Sequence, residues 1–384
     1  MTPAGDEPIP LARPQVGERE EELVMEALRS RRLSLGPMLP TFEEALAARL
    51  GVERVSALSS GTAALHLSIR AAGVRQGDEV VTTPFSFVAS ANCVLYESAT
   101  PVFCDIDPRT LNVDPAAAAA AVTERTTGLL PVDIFGYPAD MPALEELARA
   151  RGLWIVEDAC EALGAEHADG VAVGARGNLA TFGFYPNKQL TTGEGGAVVS
   201  PASELKERID SERNQGRATD MGWLDHDRLG FNYRLSDLAC ALGLAQLERL
   251  DAMLAARARI AALYTEGLAE VEGLELPCGD DGGNRRGWFV YVVQLPAEVD
   301  RDGAVRELRE RGVDSKPYLP AIHLNPFYRE RFGHRPGQFP ICEAVARRSL
   351  ALPFFPELSE SEVEHVVTAL REVVLSSRAA PQPG

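Results

Sequence analysis

Four short stretches of the chain hold residues whose types and spacing could do chemistry. In "FGFYPNKQLTTGEGGAVVS", residues 182–200, one lysine, Lys188, stands between an apolar β-type run and a glycine-rich turn. Such an amine is either a solvated lysine, the commonest fate of the residue type, or a nucleophile that condenses with a carbonyl. The second role requires that burial or nearby positive charge keep part of it unprotonated. In "SSGTAALHLS", residues 59–68, small residues lead into an apolar helix. Ser60, Gly61 and Thr62 either cap that helix or turn its free N–H groups and a hydroxyl toward a phosphate. "WIVEDACEA", residues 154–162, reads as a buried strand ending in Glu157 and Asp158, with Glu161 one turn on. These carboxylates suit a helix cap, a surface ion pair, or a buried cation such as a protonated ring nitrogen. "GFNYRLSDLA", residues 230–239, sets Asn232, Tyr233 and Arg234 before a helix, as a loop and cap or as ligand contacts.

The rest of the chain must position these groups. It has 384 residues, 45% of them hydrophobic, which is enough for a substantial core and more than one core usually holds. A net charge of −18, from 38 basic and 56 acidic residues, argues against nucleic acid as a partner. An anionic ligand must therefore be held by local positive charge. The six cysteines are scattered with no zinc-ligand spacing, so no metal site is expected and reduced thiols of a cytoplasmic protein are the default. The start, "MTPAGDEPIPLARPQ", lacks the build of a secretory signal, and no apolar run approaches membrane-spanning length.

Residues 1–13 read as a loose tail. Two amphipathic helices follow, with Leu23, Met25 and Leu28 and then Phe42, Leu46 and Leu50 at near-helical spacing. From residue 54 to about residue 200, short β-rich runs alternate with helices. That order predicts a mostly parallel sheet with helices on both faces, an α/β fold. A long helical pattern breaks near Leu250–Asp251, and the remainder reads as a smaller α+β unit. The expected domains are thus a large one over 14–250 and a small one over 251–384.

In such sheets ligands gather beyond the carboxyl ends of strands, where several of these groups fall. A phosphate cradle, the aromatic-bearing loop "PFSFVAS", a strand-end aspartate and then a lysine thirty residues on match the needs of pyridoxal 5'-phosphate. That cofactor has a phosphate, a flat ring, a ring nitrogen that pairs with a carboxylate and an aldehyde that condenses with an amine.

The blocks "LSLGPMLPTFEEALAARLG", "SGTAALHLS", "GDEVVTTPFSFVASANCVLYESATPVFCDID", "PVDIFGYPADM", "VEDACEALGA", "FYPNKQLTTGEGGAVVS" and "GFNYRLSDLACALGLAQLERLD" together resemble the DegT/DnrJ/EryC1/StrS family of nucleotide-sugar aminotransferases, nearly from end to end. The resemblance implies the fold of the aspartate aminotransferase type (fold type I). It implies that Lys188 forms the internal aldimine and moves protons, and that Asp158 pairs with the ring nitrogen. Glu161 would lie on the phenolic-oxygen side, Phe87 would stack on the ring, and Gly61 with Thr62 would hold the phosphate. It further implies a homodimer with sites at the subunit interface, Asn232 reaching the cofactor phosphate of the neighbouring chain.

One departure stands five residues before the lysine, where many relatives carry serine and this chain has Gly183. Relatives with histidine at the lysine position are dehydratases, so Lys188 implies transamination, from L-glutamate through pyridoxamine 5'-phosphate to a keto-sugar nucleotide. "TTGEGG", with Glu194, resembles members that aminate C4 of a 4-keto-6-deoxy sugar, such as GDP-perosamine synthases. A 3-keto sugar or a cyclitol ketone is the alternative acceptor, and a non-catalytic regulator on the same fold is disfavoured by the intact cofactor set. Lys316, Tyr318 and His323, in "SKPYLPAIHLNPFY", and Arg234 are candidates for contacting the substrate.

Overall fold

The computed structural model describes residues 8–218, 225–280 and 282–379. Among them, short β-rich runs separated by helices form a seven-stranded sheet. Its strands are β1 (Val55–Leu58), β2 (Glu79–Thr82), β3 (Thr100–Phe103), β4 (Thr126–Leu130), β5 (Trp154–Asp158), β6 (Leu179–Gly183) and β7 (Gly196–Val199), in the order β1-β7-β6-β5-β4-β2-β3. β3, β2, β4, β5 and β6 are mutually parallel, whereas β7 runs antiparallel to both β6 and β1. The reversal has a local cause. The link from β6 to β7 is a loop that turns back rather than a helical crossover, and that loop carries Lys188.

Helices α1 (Glu18–Ser30), α2 (Met38–Leu50), α3 (Gly61–Ala71), α4 (Ala89–Tyr96), α5 (Pro115–Ala121), α6 (Met141–Arg151), α7 (Ser203–Arg213) and α8 (Asp237–Glu248) accompany the sheet. Because successive strand residues point to opposite faces, Val80 and Val156 pack with α3 and α4 while Val81 and Ile155 pack with α5 and α6. Phe42, Leu46 and Leu50 of α2 close over β1, β6 and β7, as their spacing predicts. The expected break in the long helical pattern is present, with α8 ending at Glu248 and α9 (Leu250–Leu268) starting two residues on. Beyond it, β8 (Tyr291–Gln294), β10 (Ser349–Leu352) and β9 (Lys316–Pro317) form an antiparallel sheet in the order β8-β10-β9. It shares a core with α9, α10 (Arg301–Glu310) and α13 (Glu360–Ala379), centred on Tyr264, Tyr291, Leu308, Phe354 and Leu370. α11 (Pro326–Phe332) and α12 (Pro340–Arg348) complete this part.

Two expectations need correction. Residues 9–13 are not a loose tail: Ile9 exchanges main-chain hydrogen bonds with Gly312 and Asp314, the Leu11 carbonyl accepts from Phe354 N, and Arg13 lies over the Phe355 ring. The reason is physical, since an extended segment can pair at the free edge beside Val313 and satisfy its own backbone there. Residues 1–7 and 380–384 of the expected domains lie outside the described residues. In α1 the inward face is Glu20, Leu23 and Ala27, while Met25 and Leu28 are 40% and 46% exposed. Buried Glu20 is stabilised by Gln246 Nε2 at 2.6 Å and Arg249 Nε at 2.7 Å, which lets a charged residue take a core position.

Candidate active site

The carboxyl ends of the parallel strands open into a cavity of about 490 Å3. β5 brings Asp158 to its floor. The neighbouring Glu157 points to the opposite face, as strand alternation requires, where it accepts from Gly174 N at 3.0 Å and lies 3.5 Å from His167. Asp158 is 3% exposed; Ser90 Oγ donates to its Oδ2 at 2.7 Å and Cys160 N to its Oδ1 at 3.2 Å. Ser90 is itself fixed by a 2.8 Å hydrogen bond to Ser86. No cation pairs with Asp158 among the described residues, so a buried carboxylate faces the cavity with its charge uncompensated.

One turn on, Glu161 anchors its Oε2 on Phe135 N at 2.9 Å and places its Oε1 3.4 Å from Lys188 Nζ. Burial raises the Glu161 carboxyl above its ordinary range, against the pull of Lys188 and the Phe135 N–H. Phe135 holds the left-handed conformation, φ 53°, that aims its N–H inward. Lys188 Nζ rests 3.9 Å above the centre of the Phe289 ring. Gln189, the next residue, donates to the carbonyls of Glu161 and Gly287 at 2.5 and 2.8 Å and so ties the lysine loop down.

At the opposite wall Ser60 caps α3, accepting from Ala63 N at 3.0 Å, and Gly61 and Thr62 follow in its first turn. The ordinary cap and the anion cradle are thus compatible: the hydroxyl takes one N–H and the remaining first-turn donors line the cavity. Crowding makes glycine necessary nearby, since a Cβ at Gly196 would come within 2.5 Å of the Ser60 carbonyl. Phe87 borders the cavity with its ring 61% exposed, and Glu194 and Tyr318 also line it. Burial, and then the Glu161 charge, push the Tyr318 phenol well above its usual range.

The other candidates fall elsewhere. Asn232 is exposed and pairs through its main chain with Asn214 rather than lining this chain's cavity. Arg234 donates to Asn214 Oδ1 at 3.0 Å, and Lys316 is exposed on β9; neither lines the cavity. His323 is fully buried against Glu343, 3.2 Å away, and is corrected from a substrate contact to a packed histidine. Burial lowers its affinity for a proton, and its ring packs on Phe339.

Ser90, Tyr185, Asn187 and Phe289 complete the surroundings of the lysine and aspartate without having been singled out by sequence. Ser90 could have been found, because Ser86 and Ser90 stand one helical turn apart in "PFSFVAS"; Phe289 could not, coming from a distant segment.

Pyridoxal 5'-phosphate fits these residues. An uncompensated buried carboxylate calls for a cation such as a protonated ring nitrogen; an exposed aromatic face, a helix N-terminus and an amine surround the same cavity. Comparison with known proteins agrees. The DegT/DnrJ/EryC1/StrS aminotransferase family matches residues 14–371. The chain is 35% identical to the spore coat polysaccharide biosynthesis protein SpsC of Bacillus subtilis, over 95% of this chain and 97% of that protein. It is also 35% identical to the GDP-perosamine synthase of Caulobacter vibrioides, over 96% and 98% respectively. The crystal structure of S. venezuelae DesV in complex with a ketimine intermediate superposes with a TM-score of 0.88 at 36% identity, covering 92% of this chain and 94% of that one. With its fold, its cavity and residues 14–371 in agreement, the chain belongs to the DegT/DnrJ/EryC1/StrS family and is a pyridoxal-phosphate-dependent aminotransferase.

Proposed function

We propose that this sugar aminotransferase moves the amino group of L-glutamate to C4 of a 4-keto-6-deoxy sugar nucleotide, in the cytoplasm, as a homodimer. The observation that carries the cofactor assignment within the site is the buried, uncompensated Asp158 set across one cavity from Lys188. When bound, the cofactor supplies an electron sink and carries the amine between the two substrates. Asp158, held by Ser90 and Cys160 N, would keep a proton on the ring nitrogen. Lys188 supplies the amine that holds the cofactor and then moves a proton at its Nζ, with Glu161 Oε1 at 3.4 Å as the neighbouring acceptor. Phe87 would offer its exposed face to the ring, and Ser60, Gly61 and Thr62 would hold the phosphate. One cavity serving both half-reactions gives ping-pong kinetics.

The reading of C4 rests on the "TTGEGG" turn, whose Glu194 lies at the cavity mouth, and on the likeness to GDP-perosamine synthases. Exposed Phe87, Tyr185, Met25 and Leu28 and the outward position of Asn232 support a second subunit completing the site. The test is an assay of glutamate conversion to 2-oxoglutarate with 4-keto and 3-keto sugar nucleotides and a cyclitol ketone offered in turn. Turnover with the 4-keto acceptor alone is expected. Turnover only with a 3-keto or cyclitol acceptor overturns the position, and an active monomer overturns the shared site.

A further inference from the structure

Arg257, on α9, is 3% exposed and has no carboxylate partner among the described residues. Burial alone lowers its affinity for a proton, to a value of about 10. Burying an uncompensated guanidinium costs more than burying the apolar residue that would otherwise fill the same space, so packing does not explain it. Its two terminal nitrogens are spent on main-chain carbonyls from separate parts of the chain: Nη1 donates to Phe289 O at 3.1 Å and Nη2 to Lys188 O at 3.3 Å. These two residues also touch through their side chains, Lys188 Nζ lying 3.9 Å from the centre of the Phe289 ring, and of the two Lys188 lines the cavity. Arg257 itself does not line the cavity, and its guanidinium lies over Phe354 in the small unit's core.

We propose that Arg257 is a positioning residue that clamps the Lys188 loop to the segment bearing Phe289, and so holds the amine where it can capture the cofactor's aldehyde. The clamp rests on the assignment of Lys188 above. A loop between two strands is free to move unless tied, and a planar fork with two parallel donors can hold two carbonyls in fixed relation where an ammonium on a flexible stem cannot. The capture step is a condensation: the lone pair of the unprotonated amine attacks the aldehyde carbon, C=N replaces C=O, and the aldehyde oxygen leaves as water with the amine's two hydrogens. A misplacement of the amine therefore acts on its rate.

The test compares Arg257→Met and Arg257→Lys with the unaltered apoprotein, using two ligands. Mixing with pyridoxal phosphate and following the visible absorption reads capture by the lysine; fluorescence titration with pyridoxamine phosphate reads cofactor affinity without it, since that form has no aldehyde. Arg257→Met is expected to slow capture by about 10- to 100-fold, and Arg257→Lys by less, with pyridoxamine phosphate affinity unchanged in both. Arg257→Lys keeps charge and stem and carries the test if Arg257→Met does not fold. Capture at the unaltered rate, or a parallel loss for both ligands, overturns the clamp. Lys188→Ala, run alongside, must abolish the absorption; if it is kept, the lysine assignment fails and the clamp with it.

Discussion

Two regions of this sequence carry chemically suggestive residues, the strand-end segments of the large sheet and one stretch of the C-terminal part, and the structure treats them oppositely. "EDACEALGA" and the lysine loop converge on one cavity: Asp158, Glu161 and Lys188 all line it. In "SKPYLPAIHLNPFY", by contrast, Lys316 is exposed on a two-residue strand and His323 is sealed against Glu343, leaving Tyr318 as the one candidate of the three at the cavity, beside Leu319. The difference lies in the kind of sheet. Parallel strands carried by crossovers end together on one side, so the residue after each strand is aimed at a common crevice. A small antiparallel sheet has no such side, and a residue's place there depends on packing that spacing does not encode.

The largest break of this contrast is Lys188→Ala, which should abolish the visible absorption of the bound cofactor and lower kcat/KM by about 10⁴-fold or more, the upper reach of positioned proton transfer. A variant that kept either would remove the strand-end wall from the chemistry. Asp158→Asn comes next. It keeps the shape but removes the charge proposed to pair with the ring nitrogen, and it turns one of the two oxygens that accept from Ser90 Oγ and Cys160 N into a donor. A fall of about 10²- to 10³-fold in kcat is expected, with pyridoxamine phosphate still bound. An unchanged kcat would make Asp158 a structural residue held by Ser90.

How much of this was legible follows the same line. The order of strands and helices and the lysine, aspartate and α3 groups could be read because each sits at a strand end or helix start that local pattern marks. Phe289 and Arg257 come up beside Lys188 from segments whose proximity is decided only by tertiary packing. The outward Met25 and Leu28 show the opposite limit: their spacing marks an apolar face, yet buried Glu20 takes the inward position with Gln246 and Arg249 as partners.

A smaller effect separates the two residues of the second stretch. Tyr318→Phe should change KM for the keto substrate by about threefold to tenfold, the net worth of one hydrogen bond, and leave stability alone. His323→Ala should do the reverse, leaving kcat/KM of the folded enzyme intact while costing about 1–3 kcal/mol, because Glu343 loses a buried partner. The two also differ in pH dependence. Burial lowers the folded-state affinity of His323 for a proton, with Glu343 pulling the other way, so the unfolded chain takes up a proton first as the solution is acidified. The contribution is fully present above the ordinary histidine value of about 6.5 and is lost as pH falls through the lowered folded value. Chemical denaturation between neutral and mildly acidic pH should show a slope in the unaltered protein that is shallower in His323→Ala; equal slopes would place the histidine outside the buried contact.

The smallest expected effect tests the departure at the end of β6. Gly183 and Gly61 lie against each other at the cavity wall: a Cβ on Gly61 would stand 3.3 Å from Gly183 Cα and 3.2 Å from Cys160 Sγ, whereas one on Gly183 would meet Cys160 Cβ and Sγ at 3.4 Å. The first is tight and the second is ordinary contact, so the strand end has room for a side chain that the helix start does not. Gly183→Ser should therefore fold and add a hydroxyl beside the phosphate cradle. A hydrogen bond to a charged group contributes about 1.5–3 kcal/mol at best, and about 1.4 kcal/mol is tenfold in affinity. Tighter pyridoxamine phosphate binding, by about tenfold, is expected by fluorescence titration, with little change in kcat since the amine and the ring-nitrogen carboxylate are untouched. Weaker binding would mean that the Gly61 turn tolerates no side chain opposite it, and that glycine at this strand end is required by the packing of β6 against α3.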